Sequence, residues 1–203
     1  REAFIPATRV PGSWDRGYVQ SVGGICTVVG DQLRFYYIGF KGGDPSSYMH
    51  SNGATGMAIL RRDGFASMST TGEGSLTTRP VTFTGKYLFV NVDCPSGELK
   101  VEILDKNNKV IDDLSADKCK AVSIDSTIQQ IEWNGSSDLS SLVGQEVKFR
   151  FKLKNGDLYA FWVSPSTNGE SNGYVAGGGP GYISNKDTEG KKAYEQASGL
   201  QKF

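Results

Sequence analysis

Between Val147 and Lys154 the chain alternates without a break: Val147, Phe149, Phe151 and Leu153 are separated by Lys148, Arg150, Lys152 and Lys154. Successive side chains of a β-strand point to opposite faces, so this run sets a purely apolar row against a purely cationic one. A helix would scatter the same residues around its axis. A strand this one-sided needs an apolar layer opposite it, and the neighbouring sequence supplies one. Leu99, Val101 and Ile103 alternate with Lys100 and Glu102, and Leu88, Val90 and Val92 repeat the pattern. These two strands read as a hairpin about Pro95-Ser96-Gly97. Asn155-Gly156-Asp157 reads as a second hairpin turn, leading into residues 158–163. With residues 65–69, 75–83 and 128–133, the total reaches about eight strands, the usual complement of a two-sheet jelly roll. Residues 138–143 are expected to form one short helical turn.

The chain is therefore expected to be all-β, with an antiparallel, jelly-roll-like β-sandwich over residues 64–165. Composition agrees: 26 glycines and 11 % aromatics, with β-branched residues in short runs, favour many strands joined by tight turns. At 203 residues there is room for one sandwich and an appendage. Residues 1–63 are Gly-rich and hold strands at 25–29, 33–40 and 54–61, the first two joined by Gly30-Asp31. Such a three- to four-stranded sheet has two bare faces and is marginal alone in water, so it needs something to pack on. Residues 166–203, with Asn168-Gly169, Asn172-Gly173 and Gly177-Gly178-Gly179-Pro180-Gly181, read as a loop and adhering tail, ending in a short helix or in disorder.

Several function classes are excluded or weakened. Lys plus Arg equals Asp plus Glu, at 22 each, which removes the basic excess of a nucleic-acid binder, and no such partner is expected. No apolar run reaches the ~20 residues that cross a bilayer as a helix, so no membrane partner is expected either. The single histidine, His50, has no nucleophile signature beside it and cannot by itself build a histidine metal site, so it reads as an ordinary loop residue. Asp15, Asp31, Asp44 and Asp63 fall at turns, where Asp is favoured for its bonds to backbone. Gly177 to Gly181 is followed by no helix that could complete a phosphate loop. No cofactor is expected. Calcium is the one metal the carboxylates admit, through the cluster Asp112, Asp113 and Asp117.

Three cysteines form no CxxC motif. Cys94 and Cys119 flank a strand pair, and a disulfide between them is expected, with Cys26 left over. Together with the glycosylation sequon at Asn134, this points to an extracellular or secreted protein. Sandwiches bind sugars by stacking them on exposed aromatics, and the candidates are Trp14, Tyr18, Tyr48, Trp133 and Tyr174. Trp14 stands out because Asp15 and Arg16 follow it in a polar loop. Trp162, inside a strand, reads as core. The cationic row of 148–154 reads as a solvated face, with an anionic polysaccharide as the alternative.

The stretches Pro11-Gly12-Ser13-Trp14-Asp15-Arg16-Gly17, Leu33-Arg34-Phe35-Tyr36-Tyr37-Ile38-Gly39-Phe40 and Gly56-Met57-Ala58-Ile59-Leu60-Arg61-Arg62-Asp63-Gly64-Phe65 occur in an order that resembles the last blade of five-bladed propellers related to glycoside hydrolase families 32 and 43. Leu76-Thr77-Thr78-Arg79-Pro80 and Leu158-Tyr159-Ala160-Phe161-Trp162-Val163-Ser164-Pro165 resemble the C-terminal sandwich of the same proteins. The resemblance spans residues 1–182. It implies a propeller-blade-like sheet at 1–63, an accessory stabilising or carbohydrate-binding sandwich, and an N-terminal propeller chain of the same precursor as partner. Trp14, Asp15, Arg16, Tyr18 and Trp133 are the residues expected to meet carbohydrate. The family's catalytic carboxylates come from earlier blades and their motifs do not occur here, so no catalytic residue is assigned. The alternative is a free-standing extracellular protein, lectin-like or structural and adhesive.

Overall fold

The computed structural model describes residues 3–43 and 48–200. The chain is all-β, as expected, and forms two antiparallel sheets with one short helix. Asp44 lies outside the described residues.

The first sheet is built on β3 (Gln32–Phe40), a nine-residue strand. Along one edge β4 (Gly53–Arg61) pairs with its whole length, from Gln32 opposite Arg61 to Phe40 opposite Gly53. Along the other edge β2 (Thr27–Val29) covers its start and β1 (Tyr18–Ser21) its end. The sheet thus holds four strands but is three wide at any point, because β1 and β2 share one edge of β3. Alternation gives it two unlike faces. Leu33, Phe35 and Tyr37 share one with Leu60 of β4, and Cys26, Val28 and Leu33 are buried there against Val175. The opposite face carries Tyr18, Tyr36, Met57 and Ile59, all exposed.

The second sheet depends on β9 (Lys148–Ser164), seventeen residues long. β5 (Met68–Thr77) runs along one edge, with a bulge between Thr70 and Glu73. On the other edge β7 (Glu98–Leu104) pairs with the first half of β9 and β6 (Tyr87–Asp93) with the second, and β8 (Asp125–Gln130) lies outside β6. Two sequence expectations are corrected here. Asn155-Gly156-Asp157 is no hairpin turn, because the strand runs through it. β6 and β7 do not pair with each other; they follow one another along the same edge of β9, and Pro95-Ser96-Gly97 makes the corner between them. Asn155 takes a left-handed φ of 46°, one of the few conformations Asn tolerates better than other residues. Close approach explains the two glycines: a Cβ on Gly97 would stand 1.9 Å from the Lys154 carbonyl oxygen, and one on Gly156 would stand 2.6 Å from that of Asp93.

By bending at this point, β9 contributes to one continuous core. Phe149, Phe151 and Leu153 from its first half meet Val101 and Ile103 of β7, Leu88 and Val90 of β6, and Ile131, Leu139 and Leu142 from the connections. The expected helical turn is a single 3-10 turn at Ser140–Leu142.

The expected disulfide does not form, and all three cysteines are free and buried. The Cys94 amide bonds to the Ile124 carbonyl, whereas the Val101 amide donates to the Cys119 sulfur at 3.3 Å. The two cysteines therefore sit at opposite ends of the ladder through Leu99 and Val122. Each sulfur is engaged with backbone instead, Cys94 Sγ donating to the Val122 carbonyl at 3.3 Å and Cys119 Sγ accepting from the Val101 amide.

The C-terminal segment is tied down throughout the described residues. The Gly177 amide donates to the Cys26 carbonyl at 2.9 Å, and the Val28 amide donates to Gly178 at 2.8 Å. The Tyr194 hydroxyl meets Thr127 of β8 at 2.8 Å, and helix α1 (Lys191–Ala197) buries Ala193 and Ala197. The main anchor is Arg62, whose Nη2 lies 2.9 Å from Asp187 Oδ2 while its guanidinium lies over the rings of Tyr182 and Tyr194. Burial opposes the charge of Arg62, but Tyr194, Tyr182 and Asp187 outweigh it, and its pKa lies above the ordinary arginine value. Asp187 also accepts from the Gly190 amide at 2.8 Å and the Ser171 hydroxyl at 3.2 Å. Removing one partner of a buried pair costs about 3 kcal/mol or more. Asp187→Ala is expected to lower stability in urea by that amount and to open the chain to protease beyond residue 165, with Asp187→Asn less severe. An unchanged urea midpoint and cleavage pattern would refute this account of the anchor.

Candidate functional site

The structure separates the residues that the sequence grouped as carbohydrate-binding. Trp14 lies across Gly39 and Gly56, where a Cβ would come within 2.4 Å and 2.7 Å of its ring, and it meets Tyr37 with centroids 5.6 Å apart. The two glycines thus make a notch that seats the indole on the inner face of the first sheet, with part of the ring still open to solvent. Asp15 beside it is buried. Its Oδ2 accepts from the Thr8 hydroxyl at 2.8 Å, and its Oδ1 has no partner. Arg16 is exposed in a shallow depression with Lys41 and Tyr48. Tyr18 lies opposite Phe40 and so on the other face of the sheet from Trp14, where His50 packs edge-on against both Tyr18 and Phe40.

Trp133 is no sugar platform. It is 2 % exposed within the sandwich core, and its Nε1 donates to the Val101 carbonyl at 3.0 Å. Trp162, expected in the core, is half-buried instead: it stacks on Phe89 with centroids 5.7 Å apart and donates to Gly169, which pins the C-terminal segment. Among the described residues no three His, Cys, Asp or Glu side chains converge as a metal ion requires, and Asp113 of the proposed calcium cluster is instead paired with Lys118 at 2.7 Å. Asn134 of the sequon is exposed.

The cationic row on β9 is partly paired where it lies, Arg150 and Lys152 sharing one carboxylate and Lys148 bonding to Asn108. Glu102 on β7 is buried and accepts from Arg150 at 2.7 Å and from Lys152 at 3.1 Å, while Lys154 reaches Glu73 at 3.7 Å. Burial raises the Glu102 pKa, but the bonds from Lys152 and Arg150 outweigh it, and the net position is below the ordinary carboxylate range. This face is therefore a mixed array of ion pairs rather than a purely cationic row.

A site that sequence reasoning did not assemble lies between the first sheet and residues 171–176. This cleft of about 360 Å³ has Cys26, Val28 and Leu33 beneath it, and Phe65 and Tyr174 at its sides. Phe65 is 65 % and Tyr174 73 % exposed. Asp63, Arg62 and Ser171 provide its polar groups. Tyr174 was a sequence candidate, but Phe65 read as an ordinary strand residue, and no local pattern marks two residues so distant in sequence as neighbours. No helix among the described residues is long and apolar enough to cross a membrane. No protein-family model, curated protein or solved structure matches the chain.

Two expectations follow. Trp133→Ala should destabilise the fold by about 3–5 kcal/mol, as large core truncations do, in chemical denaturation. Because the folded-state pKa of Glu102 is lowered, its contribution is present above the unfolded carboxylate pKa and is lost as pH falls through the folded value. Glu102→Gln should therefore flatten the acid limb of the stability profile, by about 0.5–1 kcal/mol given the half-exposed lysine and arginine partners; an unchanged limb counts against the pairing.

Proposed function

We propose that the chain is the C-terminal part of a carbohydrate-active protein related to glycoside hydrolase families 32 and 43, with its sandwich as an accessory domain and its first sheet docked against a propeller of the same precursor. The observation that supports this reading is the bare face of the first sheet. Tyr36, Met57 and Ile59 stand exposed together on β3 and β4, with Tyr18 exposed further along on β1, while Arg34 on the same face is buried and bonds to the Leu200 carbonyl. A grouped apolar surface of this kind marks an interaction site, in contrast to scattered single exposed residues. The outer edge of β4 supports it too. No strand pairs with that edge among the described residues, and its nine residues, Gly53–Arg61, include no Pro or Lys and only one charge, the terminal Arg61. Free edges normally carry such guards. A sheet three strands wide with an unguarded edge is one strand short of a blade, and further chain on that side would complete it.

On this reading the catalytic carboxylates belong to the preceding blades, the sandwich stabilises the last one, and the protein acts outside the cell. The second reading, a free-standing lectin-like or adhesive protein, draws on the exposed Phe65 and Tyr174.

Sequencing the transcript upstream of Arg1 separates the two. Further blade-length repeats in frame are the expected result, and a start codon with only a signal peptide before Arg1 would overturn the first reading. With the upstream region co-expressed, the two parts should co-purify, and Met57→Lys with Ile59→Lys should weaken their association at least tenfold while leaving the sandwich folded by near-UV circular dichroism.

A further inference from the structure

We infer that the cleft between the first sheet and residues 171–176 binds one ring of a neutral oligosaccharide. The inference deepens the carbohydrate reading above and rests on it only for the class of ligand.

A sugar ring has an apolar C–H face and a rim of hydroxyls, so its site needs an aromatic or aliphatic surface with hydrogen-bonding groups beside it. The cleft has both. Its base is the buried apolar group Cys26, Val28 and Leu33, and its sides are the most exposed aromatic rings near the inner face, Phe65 and Tyr174. At about 360 Å³ it falls in the ~300–1,000 Å³ range of small-molecule sites.

The Phe65 ring and the backbone that carries Tyr174 are held in place before any ligand arrives. Phe65 stacks on Phe4 at 6.1 Å and meets Phe35 edge-on at 6.2 Å. The backbone of Tyr174 is fixed by its bridge to Lys186, and its neighbour Val175 is buried against Cys26, Val28 and Leu33, while the ring itself stands exposed. Binding therefore requires ordering of the Tyr174 side chain alone, and limiting such ordering is one way a small site keeps its affinity.

The polar groups favour a neutral ligand. Arg62, the cation that lines the cleft, binds the buried Asp187 through Nη2, and its Nη1 is buried without a hydrogen-bond partner, so neither nitrogen is presented at the surface to an anion. Asp63 carries an exposed carboxylate 3.8 Å from Arg62 Nε, placed to accept from sugar hydroxyls and to repel uronic acids. The Ser171 hydroxyl donates to Asp187 and accepts from the Gly173 amide, which leaves it one lone pair for a ligand hydroxyl.

The test is saturation-transfer NMR on the purified chain with neutral hexasaccharides of glucose, xylose, arabinose and fructose, and a galacturonate hexasaccharide as the anionic control. At least one neutral hexasaccharide should receive saturation. Tyr174→Ala and Phe65→Ala should each weaken its binding at least tenfold, Tyr174→Trp should retain it, and Tyr36→Ala on the opposite face should leave it unchanged. Overturning results are silence from every neutral sugar, a preference for the galacturonate, or binding that survives both alanine substitutions. If binding instead disappears with Trp14→Ala, the cleft is refuted while the carbohydrate reading stands. Docking of the apolar face is read by co-purification, so its failure is seen separately.

Discussion

Two consecutive guanidinium groups hold this molecule together. Arg61 ends β4 and turns toward the sandwich: its Nε donates to Asn91 at 2.7 Å, its Nη2 donates to the Val92 carbonyl at 3.0 Å, it pairs with Asp125, and it lies over the Tyr159 ring. Arg62 turns the other way, to Asp187 and the two tyrosines of the C-terminal segment. Asn91 completes the junction by donating to the Arg62 carbonyl at 2.6 Å, so a buried polar residue on the outer side of β6 serves both arginines. Arginine suits this position because its planar, always-charged fork can bond and stack at once. The first sheet, the sandwich and the C-terminal segment meet within these few residues, and the cleft exists only because they do.

The sequence was most legible where one physical signal acted alone. Period-two alternation in β3, β6, β7 and the first half of β9 identified strands and the inward residues Phe149, Phe151 and Leu153, because burial on one face leaves no other arrangement for them. It was misleading where two structures share a signal. Asn155-Gly156 satisfies a hairpin turn and equally a bend inside a strand, since both use a left-handed residue beside one without a side chain. Which one forms is decided by β5, which pairs with β9 across the bend, and by β7 and β6, which hold its two halves along the other edge. The cysteines show the same limit, since proximity in sequence to a strand pair says nothing about register along it.

Site residues were harder to read because exposure is a tertiary property. Trp133 and Phe65 both sit near strand ends in the sequence. The first is enclosed by the connections that hold Leu139 and Leu142, and the second is left outside by the turn at Asp63-Gly64. Trp14 was legible as unusual, but its seat on Gly39 and Gly56 required the register of β3 against β4. Electrostatics shows the same limit: the row of β9 cations reads in sequence as uniformly positive, yet Arg150 and Lys152 share the buried Glu102 from a neighbouring strand.

The bend in β9 also bears on how the chain comes to be assembled. A strand at residues 148–164 that pairs with segments starting at 68, 87 and 98 makes nearly every contact of the sandwich long-range in sequence, which slows closure because loop entropy is lost before any pairing compensates it. During synthesis the first sheet leaves the ribosome early, yet the segment that covers its inner face, around Val175 and Asp187, is made last. For that interval Val28 and Leu33 lack the cover that Val175 later provides, and the half-made chain carries an apolar surface of the kind that favours association.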